Sequence, residues 1–340
     1  MTVARQLIET CHFNALFVES GVYDFLKMRK LRAAGRDVTS AEVTAAIGGL
    51  WATDEVAPLI PLLTDRANKG TLVLGGLDDQ LGRGTYAQLG MPADLVNYLQ
   101  GDVKAGCLAT LQRHFRWEYT NDAPYGDADR ARIVGCLNTI GTAIGTANSR
   151  DARLRDADAV MVANLKRSFA RETLASAVSQ FNSRDESMWM NFQWLMKSLP
   201  TSSKVIVWTA TVHAAKTLEG ATSDAGKVSL GSFIRREFGE RSFALGFSAY
   251  SGTYGMARQP VRELAAAPSD SLEARAFASG EGDTRYFDLA QLRQYGLIPA
   301  RPLGAAFTGG HWDTVMDGLV VFRVERPPVF RLAPPSGTHP

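Results

Sequence analysis

Four side chains in this sequence have the types that acid–base and hydrolytic chemistry needs: the carboxylates of Glu19 and Asp78, the imidazole of His213 and the guanidinium of Arg184. An imidazole titrates near physiological pH and can take or give a proton. A carboxylate can orient that imidazole or hold a water, and a guanidinium can stabilise an oxyanion as it forms. Glu19 directly follows the apolar run Ala15-Leu16-Phe17-Val18. Asp78 closes the stretch that begins Thr71-Leu72-Val73-Leu74, and His213 comes shortly after Val205-Ile206-Val207-Trp208. Continuous apolar runs of this length suit strands buried on both faces, as in a parallel sheet. The carboxyl ends of such strands share one edge, where ligands of open α/β sheets bind, so the three residues are expected to converge there. Each also has a plainer role open to it. Glu19 could sit at a helix N-terminus, Asp78 in a turn, His213 in a cap or the core, and Arg184 on the surface of a first helical turn.

The elements that must position these groups follow from periodicity. Val3, Leu7, Ile8 and Cys11 open the chain with helical spacing, Asn14 turns it, and Val22, Phe25 and Leu26 resume a helix after the first strand. Thr39 with Glu42 is a capping-box signature, and a further helical pattern covers 54–68. Residues 83–182 show almost no strand signal, with long helical patterns over 95–117 and 130–148 and with Pro124 and Gly126 between them. Gly141 and Gly145 there suit close helix packing, because Asn138 and the threonines around them exclude a membrane helix. Ser183 with Glu186 reads as a second capping box. It predicts a helix that opens at Ser183, carries Arg184 in its first turn, buries Met188, Phe192, Leu195 and Met196, and stops before Pro200. Further strands are expected over 242–247, 261–264 and 319–324. The pattern predicts an α/β fold with a mostly parallel central sheet flanked by helices and a helical insertion. The α/β core is expected to comprise 1–82 and 183–330, the helical subdomain 83–182, and a C-terminal tail 331–340.

Composition narrows the function classes. The 340 residues carry 37 basic and 35 acidic side chains, a net charge of +2 that does not suit a uniformly basic nucleic-acid surface. No apolar run approaches the roughly 18 residues of a membrane span. Cys11, Cys107 and Cys136 are widely spaced and odd in number, so neither a disulfide framework nor a cysteine zinc site is expected. Gly246-Phe247-Ser248-Ala249-Tyr250 lacks the second glycine of a nucleophile elbow. There is no Walker A sequence, no dinucleotide fingerprint after a strand and no HExxH. His12, His114, His311 and His339 have no partner pattern and read as structural or solvent-exposed. The basic runs 113–116 and 235–236 read as solvated faces. The expectation is a protein that takes a small-molecule substrate, with no metal, no cofactor, no nucleic acid and no membrane. Nothing in the sequence specifies an oligomeric state.

Several of these words, taken in order, resemble the erythromycin esterase family. Phe17-Val18-Glu19-Ser20-Gly21 is similar to its strand-Glu-small step. Trp51 and Gly76-Leu77-Asp78 keep its order, and Arg184-Asp185, Met188, Asn191-Phe192 and Leu195 resemble its Arg-Asp helix. Val205 to His213 resembles its strand-Trp-His loop, with Phe238-Gly239 and Ser271-Leu272-Glu273 downstream. The resemblance covers roughly residues 3 to 325. It implies metal-independent hydrolysis of an ester or lactone by activated water, in a family associated with macrolides and the response to antibiotics. It makes Glu19, Arg184 and His213 the catalytic candidates, with Asp78, Trp51, Asp185 and Trp208 lining the substrate cleft.

Two departures bear on that expectation. The family's Gly-Glu-x-x-His-Gly loop, which carries the activating histidine, would precede the helix that opens this sequence, and Ala210 stands where the first histidine of its His-Asn-x-His loop belongs. A general base typically contributes 10²–10⁴-fold, so its loss implies slow hydrolysis, or a non-catalytic binding protein that retains the cleft. As written the chain carries no leader and is expected in the cytoplasm. A start further upstream would bring the family loop, and export, into question.

Overall fold

A computed structural model describes residues 2–147, 152–221, 224–256, 259–280 and 282–331. The chain is an α/β protein that divides into two units. The first comprises residues 1–174, 191–206 and 330–340, and the second 175–190 and 207–329. His339 and residues 332–340 of the expected tail lie outside the described residues.

The first unit opens with α1 (Thr2–Glu9), β1 (Ala15–Gly21), α2 (Val22–Ala33), α3 (Ser40–Trp51), α4 (Ile60–Asn68) and β2 (Val73–Asp78). Both apolar runs are strands, and they pair in parallel from Ala15 opposite Val73 to Gly21 opposite Asp78, with a register shift after Val18. Thr39 caps α3 in a full capping box with Glu42, as its spacing predicts. Every described element between β2 and the next strand is helical: α5 (Tyr86–Leu89), α6 (Met91–Leu95), α7 (Gly101–Phe115), α8 (Asp127–Thr146), α9 (Ala152–Arg171) and α10 (Ala177–Met196). Leu95, Leu111, Ile133, Leu137, Ile140, Met161, Leu165 and Phe169 join Val22, Tyr23 and Leu26 in one apolar core.

That packing overturns the reading of the cysteines. Cys107 on α7 and Cys136 on α8 lie with Cα atoms 5.4 Å apart and form a disulfide. Two helices placed side by side brought together residues that are 29 apart in sequence, a proximity no local spacing encodes. Cys11 is the free, exposed thiol.

The second correction concerns α10. Ser183 does not open this helix, which begins at Ala177. Ser176 and Ser179 cap it instead, the Ser179 amide donating to Ser176 Oγ at 3.0 Å. Arg184 and Asp185 therefore stand within the helix rather than in its first turn. Residues 177–190 belong to the second unit and 191–196 to the first. β3 (Val205–Trp208) follows, and the three-stranded sheet runs β2-β1-β3.

The second unit continues with α11 (Thr211–Ala214), α12 (Leu230–Phe238), β4 (Leu245–Tyr254), β5 (Arg262–Glu263), α13 (Leu272–Ala276), β6 (Thr284–Asp288), α14 (Leu289–Tyr295), β7 (Leu297–Ala300), β8 (Thr308–His311), α15 (Trp312–Val315) and β9 (Gly318–Glu325). β4 and β9 pair in parallel, with β5 and β6 antiparallel on the two flanks. β4 extends well beyond the run 242–247, β5 is shorter than 261–264, and β6, β7 and β8 carried no clear signal. Their residues are mixed and partly exposed, so alternation is weak. Phe287, Leu292, Ile298, Trp312, Leu319 and Val321 form this unit's core. No helix among the described residues is long and apolar enough to cross a membrane.

Candidate active site

In the second unit a helix face and a loop build one hydrogen-bonded chain. Phe181, Arg184 and Asp185 are three and four residues apart on α10, which puts an aromatic ring, a guanidinium and a carboxylate on one face. All three engage His213 on the short helix α11. Both carboxylate oxygens of Asp185 lie 2.9 Å from His213 Nδ1, and Arg184 Nη1 lies 2.9 Å from Nε2. The Phe181 ring stacks on the imidazole, 5.1 Å between centroids and 9° from parallel. His213 is 4% exposed and Asp185 0%, so the pair is shut off from bulk water.

The carboxylate is itself fixed. The amide of Leu230, the first residue of α12, donates to Asp185 Oδ1 at 2.7 Å. Ser229 caps that helix by accepting from the Ser232 amide at 3.2 Å, while its hydroxyl donates to the Ala215 carbonyl at 2.6 Å. Asn182 holds the approach to the cap: its side chain donates to the Gly226 carbonyl at 3.0 Å and accepts from the Val228 amide at 2.8 Å. Burial raises the Asp185 carboxyl above its ordinary range, opposed by the hydrogen bond and charge of His213 and by the Leu230 amide. The contact of Asp185 with His213 Nδ1 has the geometry of the carboxylate–imidazole contact in a catalytic triad, with a guanidinium where the nucleophile would stand.

In the first unit, β1 and β2 deliver Glu19 and Asp78 to the same, carboxyl-terminal edge of their parallel pair, and both are buried. The surroundings are stiff. Trp51 Nε1 donates to the main-chain carbonyl of Glu19 at 2.8 Å, which gives this tryptophan a positioning role beside β1. Ser20 Oγ donates to Ala46, and Gly48, at φ 79°, comes so close that a Cβ there would lie 2.8 Å from Ser20 Oγ. The β2 end is held by Asn191, whose side chain donates to the Leu77 carbonyl at 2.7 Å and exchanges hydrogen bonds with Asn164. Asp79, fully buried, pairs with Arg171, and its carbonyl accepts from Tyr23 Oη at 2.9 Å. Burial first, then Asp79 and Asp78, keeps that phenol protonated as a donor.

Of the residues expected from sequence, Arg184, Asp185 and His213 come together in the second unit, and Glu19, Asp78 and Trp51 share the strand-end region of the first. Trp208 is half-buried at the end of β3. Asp185, expected to line the cleft, contacts His213 Nδ1 and accepts from the Leu230 amide. Sequence reasoning missed Phe181 and the Leu230 amide. The signal for Phe181 was present, since it lies at helical spacing from Arg184 and Asp185. A groove of about 380 Å³ beside Asp24, Lys27 and Tyr86 contains none of these residues.

A family model described as Erythromycin esterase matches residues 8–315. Solved structures share the fold. A succinoglycan biosynthesis protein is 11% identical with a TM-score of 0.67, over 96% of this chain and 83% of that one. A Bacillus cereus protein is 15% identical with a TM-score of 0.65, over 96% and 84%. A histidine-to-asparagine mutant of the erythromycin esterase EreC, in its open conformation, is 14% identical with a TM-score of 0.63, over 97% and 86%. A comparison with curated proteins finds no match.

Proposed function

From the premise that this chain belongs to the erythromycin esterase family, we propose that it hydrolyses an ester or lactone bond with a water activated by side chains rather than by a metal. The observation that carries this reading is the Asp185–His213–Arg184 chain. Asp185 holds Nδ1, so Nε2 is the nitrogen left for proton transfer. In the proposed reaction a water oxygen attacks the acyl carbon while Nε2 takes its proton, and the carbonyl electron pair moves onto oxygen. Arg184 stabilises that oxyanion. Collapse breaks the acyl–oxygen bond, and the leaving alkoxide takes the proton back from Nε2. Glu19 is proposed to hold a water at the strand-end edge of the first unit, with Asp78 and Trp51 as its supporting residues, and Asp185 and Trp208 are proposed to support His213 in the second.

The test is turnover of a panel of small and macrocyclic lactones and aryl esters by the full chain, with and without a chelator. Chelator-resistant hydrolysis that falls by about 10²–10⁴ in His213→Ala, the scale of one general base, is the expected result. Equal rates in wild type and His213→Ala would remove His213 from the reaction. Ala210, at the position of a family histidine, favours one competing reading, a binding protein that retains the cleft. Thermal stabilisation by lactones without product would establish that reading instead.

A further inference from the structure

We infer that Arg184 caps the catalytic lone pair of His213 and passes its N–H to a substrate acyl oxygen, so that one displacement bares the base and delivers the oxyanion donor. The inference rests on the hydrolytic reading above and concerns how that same site is regulated by its ligand.

It follows from donor and acceptor identities. A guanidinium has donors only and stays charged, so the 2.9 Å contact from Arg184 Nη1 to Nε2 requires a lone pair on Nε2. The proton of a neutral ring then sits on Nδ1, 2.9 Å from both acceptor oxygens of Asp185. The two partners thus impose the Nδ1–H tautomer, and they leave the only basic atom of the ring occupied. The ring cannot turn away to free it. Asp185 grips one edge, Phe181 covers one face at 5.1 Å, and the Leu230 amide at 2.7 Å fixes Asp185. Lys227 Nζ, 5.2 Å from the Phe181 ring centroid and paired with Asp224 at 2.5 Å, backs the ring stack.

Arg184 is the component with N–H donors to offer a second acceptor. It is an unbranched, half-buried side chain with several rotatable bonds, bound to a ring that is 4% exposed. The ligand class is set by what can replace Nε2 as an acceptor, namely the oxygen of an ester, a lactone or a tetrahedral oxyanion. An amine or another cation would leave Arg184 in place. Because oxyanion character grows during acyl attack, the exchange is most favourable as the reaction proceeds.

The experiment uses the full chain and phenylphosphonate, a stable tetrahedral oxyanion. Nitrogen-15 spectra of labelled histidine are expected to show His213 as the Nδ1–H tautomer, and phenylphosphonate is expected to shift Nε2. Carbethoxylation of the His213 peptide is expected to be slow beside that of exposed His12. It should rise roughly tenfold in Arg184→Gln, the scale of one lost charged hydrogen bond, and less in Arg184→Lys. If the variants do not fold, the spectra of the wild type decide alone. An Nε2–H ring in the wild type, or an Nε2 resonance indifferent to phenylphosphonate, overturns the inference. Either result alongside loss of turnover in His213→Ala leaves ester hydrolysis standing. Retained turnover in His213→Ala defeats the hydrolytic role of His213 itself.

Discussion

Asp185 Oδ1 accepts from two directions at once, from His213 Nδ1 at 2.9 Å and from the first amide of α12 at 2.7 Å. The carboxylate is thereby stapled to a helix N-terminus, where negative charge is favoured, and the imidazole inherits that rigidity. Asparagine at position 185 keeps the shape but offers one carbonyl and one amide for what are two donors. The expected result for Asp185→Asn is a near-native fold with kcat lowered by about 10³–10⁴, as when a triad carboxylate is replaced. Circular dichroism and lactone turnover measured on the same preparation check this, and unaltered kcat would mean that ring orientation is not set by Asp185.

The α12 cap reaches His213 through a close backbone approach. A Cβ on Gly231 would lie 2.2 Å from the Ala214 carbonyl oxygen and 2.4 Å from that of Ala215. Those are backbone atoms and cannot rotate aside, so Gly231→Ala must push α12 off the segment that carries His213. The expected cost is about 1–3 kcal/mol, the range for overpacked sites, together with loss of turnover. Chemical denaturation measures the first and the lactone assay the second.

Much of this was legible from local pattern. Ala15–Gly21 and Val205–Trp208 announced themselves as apolar runs, and Thr39 announced a cap, because each signal lies within a few consecutive residues. Two kinds of feature were not legible. Ser183 matched the capping-box spacing and failed because Ser176 offers an earlier cap, and a helix, once nucleated, propagates through a later one. The Cys107–Cys136 bond and the Asp185–His213 pair join residues 29 and 28 apart. Only tertiary packing brings such residues together, and one sequence carries no record of it. Arg184 and His213 were expected at one site from their residue types, but the direct hydrogen bond between them was not, for the same reason.

The Cys107–Cys136 disulfide closes a loop of about 29 residues, which in the chain-entropy account corresponds to about 3–4 kcal/mol of stability. Thiol titration of the denatured, unreduced protein is expected to find one thiol, Cys11, and to find three after reduction. The thermal midpoint should fall on reduction. Three thiols before reduction would show that the purified protein does not hold the bond.

Arg301 and Glu273 form a buried frame in the second unit. Arg301, 3% exposed, donates to the carbonyls of Ala249, Tyr250 and Ala265 at 2.7–2.9 Å. Its own amide donates to Glu273 Oε1 at 2.9 Å, as does Ser248 Oγ at 2.5 Å. Arg301→Met strands three carbonyls and removes the charge facing a fully buried carboxyl. The expected loss is about 3–5 kcal/mol, from several buried acceptors left without their donor at about 1–3 kcal/mol each. Burial already raises the Glu273 carboxyl, and removal of Arg301 raises it further. The native variant then holds its proton where the unfolded chain has released it, so its stability deficit should widen as pH rises above the ordinary carboxyl range. Urea midpoints of both proteins at pH 5 and pH 8 test this, and a deficit independent of pH would assign the loss to packing alone.

His114 gives the opposite sign. It is 7% exposed and ringed by Phe115, Trp117, Tyr119, Tyr125 and Phe169, with centroids 4.9–6.0 Å from its own. Burial lowers its pKa from the ordinary 6.5 to about 4, with Asp129 opposing. The unfolded chain therefore takes up a proton that the native one refuses. The stability this neutral ring confers is complete above pH 6.5, and it falls as pH drops from there to about 4. His114→Phe keeps an aromatic ring in the cluster and has nothing to protonate. Denaturation midpoints at pH 8 and pH 5 should therefore differ less in the variant than in the wild type. An equal difference in both would show that acid acts on this fold through groups other than His114.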